Sequence, residues 1–263
     1  MPIYDKPMIY YPLSCLMLAG IKEILVISTP HDLPLFKQLL KTGNQWGLEI
    51  SYAEKSKPEG LAQALVIAES FLDGSSCCLI LGDNIFYGEG LSHMLRTAAG
   101  LTEGGLIFGY YVNDPKPYGV IEFDEKDNAI GFDEKPDNPK SNFVIPGLYF
   151  YDSQAPVLAR SLTPSPRGEL EITDLNKIYL EQGNLKVRKF GRGIAWLDTG
   201  THETMLQASN FIKIIIERQG LQIGCPEEIA FNQKWISGDE LLIAAKENFK
   251  TEYGAYLKRL LNI

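Results

Sequence analysis

Asp83 closes an apolar run in Leu79-Ile80-Leu81-Gly82-Asp83-Asn84, which puts a carboxylate at the carboxyl edge of a buried strand. Open α/β sheets collect their ligands at that edge. A hard oxygen donor there suits Mg²⁺ holding phosphates, because Mg²⁺ prefers carboxylates and keeps part of its shell for substrate oxygens. Taken alone, a strand-terminal Gly-Asp is more often an ordinary turn whose Asp bonds its own backbone. A second carboxylate, Asp198 in Trp196-Leu197-Asp198-Thr199-Gly200-Thr201, sits just ahead of a helical pattern, and two acids far apart in sequence can flank one metal. If Thr201 or His202 caps that helix, Asp198 is a turn residue instead.

Three polar segments could hold the rest of a substrate. The loop Glu54-Lys55-Ser56-Lys57-Pro58-Glu59-Gly60 leads into a helix beginning Leu61-Ala62-Gln63-Ala64, so backbone N–H groups and a helix N-terminus meet at one sheet edge. An anion or a base edge fits there, and so does plain solvent. Phe132-Asp133-Glu134-Lys135-Pro136 sets an acceptor beside a cation: a carboxylate for sugar hydroxyls, an ammonium as a point charge for a phosphate. It also reads as a surface ion pair. In Arg167-Gly168-Glu169-Leu170-Glu171-Ile172-Thr173-Asp174 the acids suit a helix start, while Gly168 permits close backbone approach to a ligand. The three histidines, His31, His93 and His202, have no Cys or His at ligand spacing and form no Ser-His-Asp arrangement, which argues against zinc and nucleophilic catalysis.

The elements that must position these residues alternate. Helical periodicity over Met8–Ala19 gives way to an apolar strand at Ile24–Ile27, then a helix at Asp32–Leu40, a strand at Leu48–Ala53, a helix at Leu61–Phe71 and a strand at Cys77–Leu81. Short connections and strands apolar on both faces predict a Rossmann-like, mostly parallel sheet with helices on both faces. After Gly90 the rhythm changes. Leu106–Val112, Val120–Phe123, Ala129–Phe132 and Val144–Tyr151 read as strands of an antiparallel or mixed extension that carries the second half of a cleft. Helices follow at Glu203–Arg218 and from Pro226, with Phe249–Leu261 the last. The expected division is a core of residues 1–225 and a C-terminal helical segment, 226–263, packed on it.

With 263 residues, 45% hydrophobic and 22% charged, the chain can bury a full core. Its net charge of -8 argues against nucleic acid or an anionic membrane as main partner. Cys15, Cys77, Cys78 and Cys225 lack metal-type spacing and read as reduced core residues of a cytoplasmic protein. No apolar run has the length of a membrane span.

In order, Asp5-Lys6-Pro7-Met8-Ile9-Tyr10-Tyr11-Pro12-Leu13, Pro58-Glu59-Gly60-Leu61-Ala62-Gln63-Ala64, Leu81-Gly82-Asp83-Asn84, Tyr118-Gly119-Val120, Glu134-Lys135-Pro136, Arg167 through Asp174 and Trp196-Leu197-Asp198-Thr199-Gly200 resemble the glucose-1-phosphate thymidylyltransferases, a branch of the sugar nucleotidyltransferases. The resemblance spans essentially the whole chain. It implies a homotetramer that joins dTTP to α-D-glucose 1-phosphate, with Mg²⁺ as cofactor and release of pyrophosphate, on the route to dTDP-rhamnose and related sugars, under control from a second site. By position, Asp83 and Asp198 are expected on the metal and Lys135 on the sugar phosphate. Glu134, Tyr118 and the Gly119 backbone are expected around glucose, Pro58 and Gly60 around thymine, and Glu169 on the sugar side. Lys6, Lys55, Gln63, Ile145 and Arg167 complete the implied binding set.

Two departures from the family pattern carry expectations of their own. Family members have a strand, a loop of the form Gly-Gly-x-Gly-Thr-Arg-Leu-x-Pro and a Lys-Gln pair ahead of the segment that starts here at Pro2. Residues 1–263 do not include them. The expectation is an N-terminally incomplete chain with its first central strand missing, unpaired edges on the neighbouring strands, no triphosphate cradle and no significant transfer by this chain alone. A catalytically silent sugar-nucleotide-binding or regulatory subunit is the alternative. Lys55 stands where the family usually has a base-reading glutamine, which leaves uridylyl or cytidylyl transfer open.

Overall fold

The computed structural model describes residues 1–248 and 250–262. A small hairpin, β1 (Pro2–Ile3) and β2 (Lys6–Pro7), turns through Tyr4 and leads into α1 (Tyr10–Leu18). Gly20 ends that helix at φ +87°, a conformation open to glycine at no steric cost. Then come β3 (Glu23–Ser28), α2 (Leu33–Leu40), β4 (Glu49–Glu54), α3 (Gln63–Leu72) and β5 (Cys77–Ile80). Next are β6 (Asn84–Gly88), α4 (Leu91–Ala99), β7 (Gly105–Tyr111), β8 (Gly119–Phe123), β9 (Ala129–Glu134), β10 (Phe143–Val144) and β11 (Leu148–Tyr151). The chain finishes with α5 (Ala155–Arg160), α6 (Ile172–Glu181), β12 (Leu185–Lys189), β13 (Ile194–Asp198), α7 (His202–Gln219), α8 (Pro226–Asn232), α9 (Gly238–Glu247) and α10 (Glu252–Leu260).

The α/β class holds, with helices on both faces of a central sheet, but parallel pairing is confined to β3 with β4 and β12 with β7. The main sheet runs β5-β11-β7-β10-β8-β9, antiparallel at every step, with β12 alongside β7. The three-residue link from β10 to β11 (145–147) carries the chain on along β7 and inserts an antiparallel strand between β5 and β7, which the strand–helix alternation ahead of it does not foretell. Two further pairs stand apart in hydrogen bonding: β6 with β13, and β3 with β4.

The expected strand Val144–Tyr151 is two strands. Pro146 has no N–H to give to a ladder, the Ile145 N–H goes to the Gly119 carbonyl at 2.8 Å, and Gly147 passes so close to Leu81 that a Cβ would meet its side chain at 2.6 Å. Strands β6, β12 and β13 and helices α4 and α5 were not legible, being short or half-polar. The expected last helix, Phe249–Leu261, is observed as α10, and Phe249 itself lies outside the described residues.

One core, with Leu13, Met17, Ile24, Trp46, Leu241 and Leu257, joins α1, β3 and β4 to α8–α10. A second, with Ile107, Tyr149, Tyr151, Leu175 and Tyr179, lies under α5 and α6. Between them Phe86, Phe108, Phe150, Phe190 and Trp196 pack together, Phe108 and Phe190 stacked at 4.4 Å. The sheet ends that this aromatic cluster anchors carry the acids.

Candidate active site

Register brings the two aspartates together. β6 and β13 pair antiparallel with Asn84 opposite Asp198, so Asp83 lies one residue from the partner of Asp198. Thr199 closes the junction, its N–H and hydroxyl both donating to the Asp83 carbonyl at 3.0 and 2.7 Å. Asn84, 2% exposed, locks it from beneath. Its Oδ1 accepts from Trp196 Nε1 (2.6 Å) and from the Gly147 N–H (3.1 Å), while its Nδ2 donates to Asp83 Oδ1 (2.8 Å). The carboxylate is thus aimed by a residue whose own hydrogen-bonding capacity is used.

Asp198 accepts from the Gly200 N–H at 3.0 Å and, more loosely, from the Tyr118 hydroxyl at 3.4 Å. Burial holds its carboxyl above the ordinary range, partly opposed by those donors and by Lys135, while Asp83 pushes the same way as burial. The Tyr118 hydroxyl is raised too, by burial first and then by Asp198. The Tyr118 ring sits edge-on to Trp196 at 5.1 Å.

The opposite wall of this cleft, whose volume is about 360 Å³, comes from β8, β9 and the start of α6. Gly119 pairs with Glu134 across β8 and β9, and a Cβ at Gly119 would sit 3.3 Å from Glu134 Oε2. Glycine keeps that carboxylate open to the cleft. Thr173 donates its hydroxyl to Glu134. Lys135 follows at φ +44°, unfavourable for a side-chain-bearing residue, with its N–H on the Tyr118 carbonyl at 3.1 Å. Arg167 reaches Glu171 at 2.9 Å, Glu169 at 3.4 Å and Glu134 at 3.5 Å. Its hydrogen bond to the buried Glu171 does most to favour the charged guanidinium. The cleft is lined by five carboxylates (Asp83, Glu134, Glu169, Glu171, Asp198) and two cations (Lys135, Arg167). A phosphate-bearing ligand therefore needs added positive charge, and a pair of hard carboxylates at one edge fits a divalent cation.

Asp83, Tyr118, Gly119, Glu134, Lys135, Ile145, Arg167, Glu169 and Asp198 all line the cleft. The Glu54–Gly60 loop lies beside it. Gly60 (φ +94°) runs against Leu170, where a Cβ would be 2.3 Å from a carbonyl oxygen, and Leu170 exchanges backbone bonds with Glu59 and Ala62. The glycine is thus required by backbone packing. Lys55 donates to the Gly60 carbonyl at 2.5 Å, and burial lowers its pKa against the pull of Glu169 and Glu59. Pro58 is exposed, and Gln63 donates to Glu59 while its Oε1 is buried without a partner.

Lys6 does not join the site. It is 4% exposed, bonded to Asp5 (2.7 Å) and Gln222 (2.9 Å), and lies over the rings of Tyr11 and Tyr253. Its position clamps the N-terminal hairpin to α10. Conversely, Asn84, Thr173, Thr199 and Glu171 shape the site without having been singled out. The signal for Asn84 was an amide directly after Asp83 at a strand edge.

A profile of the nucleotidyl transferase family matches residues 1–214. A glucose-1-phosphate thymidylyltransferase of Xanthomonas campestris pv. campestris (strain B100) is 55% identical over 260 residues, 99% of this chain and 88% of the relative. The enzyme of the same name from Neisseria meningitidis is 51% identical over 261 residues, 99% and 91%. A solved structure from Bacillus anthracis, described as a candidate glucose-1-phosphate thymidylyltransferase in complex with a sucrose, superposes with a TM-score of 0.73 at 33% identity, covering 80% of this chain and 84% of that one. A UDP-glucose pyrophosphorylase complexed with UDP-glucose gives a TM-score of 0.70 at 21% identity over 81% and 89%, a likeness of fold.

Proposed function

We propose, from the premise that the chain belongs to the nucleotidyl transferase family and within it to the glucose-1-phosphate thymidylyltransferases, that it transfers a thymidylyl group from dTTP to α-D-glucose 1-phosphate, giving dTDP-glucose and pyrophosphate. The observation that carries this reading is the Asp83–Asp198 pair, held by the β6–β13 register, facing Gly119, Glu134 and Lys135 across one cleft.

The sugar phosphate arrives already ionised, so the protein's work is positioning and charge neutralisation for an in-line displacement at the α-phosphorus. Glu134, left uncovered by Gly119 and oriented by Thr173 and Arg167, accepts from sugar hydroxyls. Lys135 lies close enough to influence Asp198 and serves the sugar phosphate between them. Asp83 and Asp198 are the residues that would hold Mg²⁺, and a bound Mg²⁺ supplies charge stabilisation of the transferring phosphoryl group. The Glu54–Gly60 loop, strapped to Leu170, borders the place for the base, with Lys55 as a donor toward a pyrimidine carbonyl. The four cysteines are unpaired, in keeping with a cytoplasmic setting, and exposed Leu206 and Ile214 on α7 support self-association, which sedimentation would reveal.

The test is binding and turnover with nucleotide choice. dTDP-glucose should raise the melting temperature, and the shift should be lost in Glu134→Ala. In a turnover-competent preparation, pyrophosphate release from glucose 1-phosphate and Mg²⁺ should be fastest with dTTP and slower with UTP or CTP. Preference for UTP or CTP would overturn the thymidylyl assignment, and failure to bind any sugar nucleotide would overturn the reading of the cleft.

A further inference from the structure

Lys6 is a buried cation outside the cleft. Its ammonium donates to Asp5 Oδ1 at 2.7 Å and to Gln222 Oε1 at 2.9 Å, and lies 5.5 Å from the Tyr11 ring centre and 5.6 Å from that of Tyr253. Four segments therefore meet on one charge: the β1–β2 hairpin, α1, the stretch ahead of α8, and α10. A buried ammonium is costly unless it is paired and hydrogen-bonded, so this clasp tolerates little movement of its parts. Tyr11 tightens it, its hydroxyl donating to the Ile3 carbonyl at 2.8 Å, while Gly224 passes so near that a Cβ would be 2.6 Å from the Tyr11 ring.

Two residues on, the chain touches both acid-bearing turns. Met8 Sδ is 3.5 Å from Thr199 Oγ1, whose hydroxyl proton goes to the nearer Asp83 carbonyl, 2.7 Å away. Ile9 covers the residue ahead of Asp83, for a Cβ at Gly82 would be 3.8 Å from Ile9 Cδ1. Ile3 and Met8 also share a core with Ile85 and Leu197, which face each other in the β6–β13 register just inside the acids. The hairpin and the turn after it thus support the backbones of both aspartates.

We infer that Lys6 is a positioning residue for the Asp83–Asp198 pair: its clasp fixes the hairpin, and the hairpin seats Met8 and Ile9 against Thr199 and Gly82. This rests on the reading of the two aspartates as the residues that would hold Mg²⁺. Mg²⁺ demands near-ideal octahedral geometry with oxygens at about 2.0–2.1 Å, whereas Ca²⁺ accepts more oxygens, at about 2.3–2.6 Å, in flexible arrangements. Aspartates held less exactly therefore lose Mg²⁺ and keep Ca²⁺.

Two other roles for Lys6 give different signs. If it served overall stability alone, its loss would leave the preference between the two cations unchanged. If it acted on the site only by its charge, removing a positive charge would strengthen the binding of any dication. Selective weakening of Mg²⁺ belongs to positioning.

The probe is Mn²⁺, followed by its paramagnetic resonance signal on the 263-residue protein, with Mg²⁺ and Ca²⁺ as competitors and folding checked by circular dichroism. In Lys6→Met, whose side chain fills the place between the two tyrosine rings, the Mg²⁺ dissociation constant should rise about fivefold or more and that of Ca²⁺ less than about twofold. Gln222→Leu, a milder change to the same clasp and the variant to rely on if Lys6→Met does not fold, should shift Mg²⁺ in the same direction. Met8→Ala should match Lys6→Met, and Met8→Leu, which keeps the bulk, should bind as the parent does. If Asp83→Asn combined with Asp198→Asn abolishes binding, the cleft reading stands; parent-like Mg²⁺ binding in the clasp variants, tighter binding of either dication, or equal loss of both then overturns the inference alone. Binding by that double variant equal to the parent's, or none by the parent at millimolar metal, overturns the cleft reading and the inference with it.

Discussion

The β6–β13 wall and the β3–β5 seam are built from similar apolar strands, and they end differently. In the wall β6 and β13 pair with each other along their whole length up to the acids, and the buried amide of Asn84 has both ends engaged. Ile85 between them is fully buried. At the seam, β3 and β5 have the same aliphatic character, but among the described residues no ladder joins their facing edges, and Ile27 is half-buried. Hydrophobic character alone therefore does not close a sheet. A ladder partner does, and where it exists it also places the polar groups within tenths of an ångström.

The largest expected effect tests whether the wall serves a single ion. In a turnover-competent preparation, Asp83→Asn or Asp198→Asn should lower the rate of pyrophosphate release by on the order of a hundredfold or more, since an amide keeps the shape and removes the charge. The double variant should be little worse than the worse single one, as for groups that act together. Multiplicative losses would show separate roles, and a near-normal rate in either single variant at saturating Mg²⁺ would return that residue to turn duty.

Next is the lock beneath the acids. Asn84→Ala strands the Trp196 Nε1–H and the Gly147 N–H in a buried place, at about 1–3 kcal/mol for each unmet donor. Denaturant unfolding measures the loss. A cost below 1 kcal/mol would mean that water or a shifted neighbour satisfies both.

The wall and the seam can then be compared with one chemistry. Ile85→Ala should cost about 2–5 kcal/mol, the usual range for a fully buried site, while Ile27→Ala should cost less than half as much. Equal costs would show that Ile27 is as fully enclosed in solution as Ile85.

The smallest effect is a pH dependence. Because burial and Asp83 raise the Asp198 pKa, the folded state favours the protonated form. The stability this contributes is fully present below the ordinary Asp value of about 3.9 and is lost as pH rises through the raised folded value. Asp198→Asn should therefore raise the melting temperature at pH 7, by on the order of a few degrees, and the gain should vanish toward pH 4. Mg²⁺ should stabilise the parent protein at pH 7 and leave the double variant unmoved. A variant less stable than the parent at pH 7 would contradict the direction assigned to Asp198.

Much of the layout was legible. Apolar runs marked β3, β4, β5, β7, β8 and β9 to within a few residues, because a strand covered on both faces has to be apolar throughout. Runs that mix polar residues, such as Leu185–Lys189, or that pass through Pro146 and Gly147 concealed β12 and the break between β10 and β11. At the site, the acids, the Glu134–Lys135 pair and Arg167 stood out by type and position. Lys6 did as well, yet it lies buried over the rings of Tyr11 and Tyr253 and does not line the cleft, because a lysine in a motif carries no mark of which way it faces.

By itself the sequence determined the alternating elements, the apolar strands and the acid-bearing turns at their ends, since periodicity and turn chemistry act over a few residues. Only the tertiary structure decided that Asp83 and Asp198, 115 positions apart, share one edge, that Asn84 aims the first and Gly200 holds the second, and that β3 and β5 face each other across an open slot. Those outcomes depend on the register of distant strands, a property of the assembled sheet that no local stretch of residues encodes.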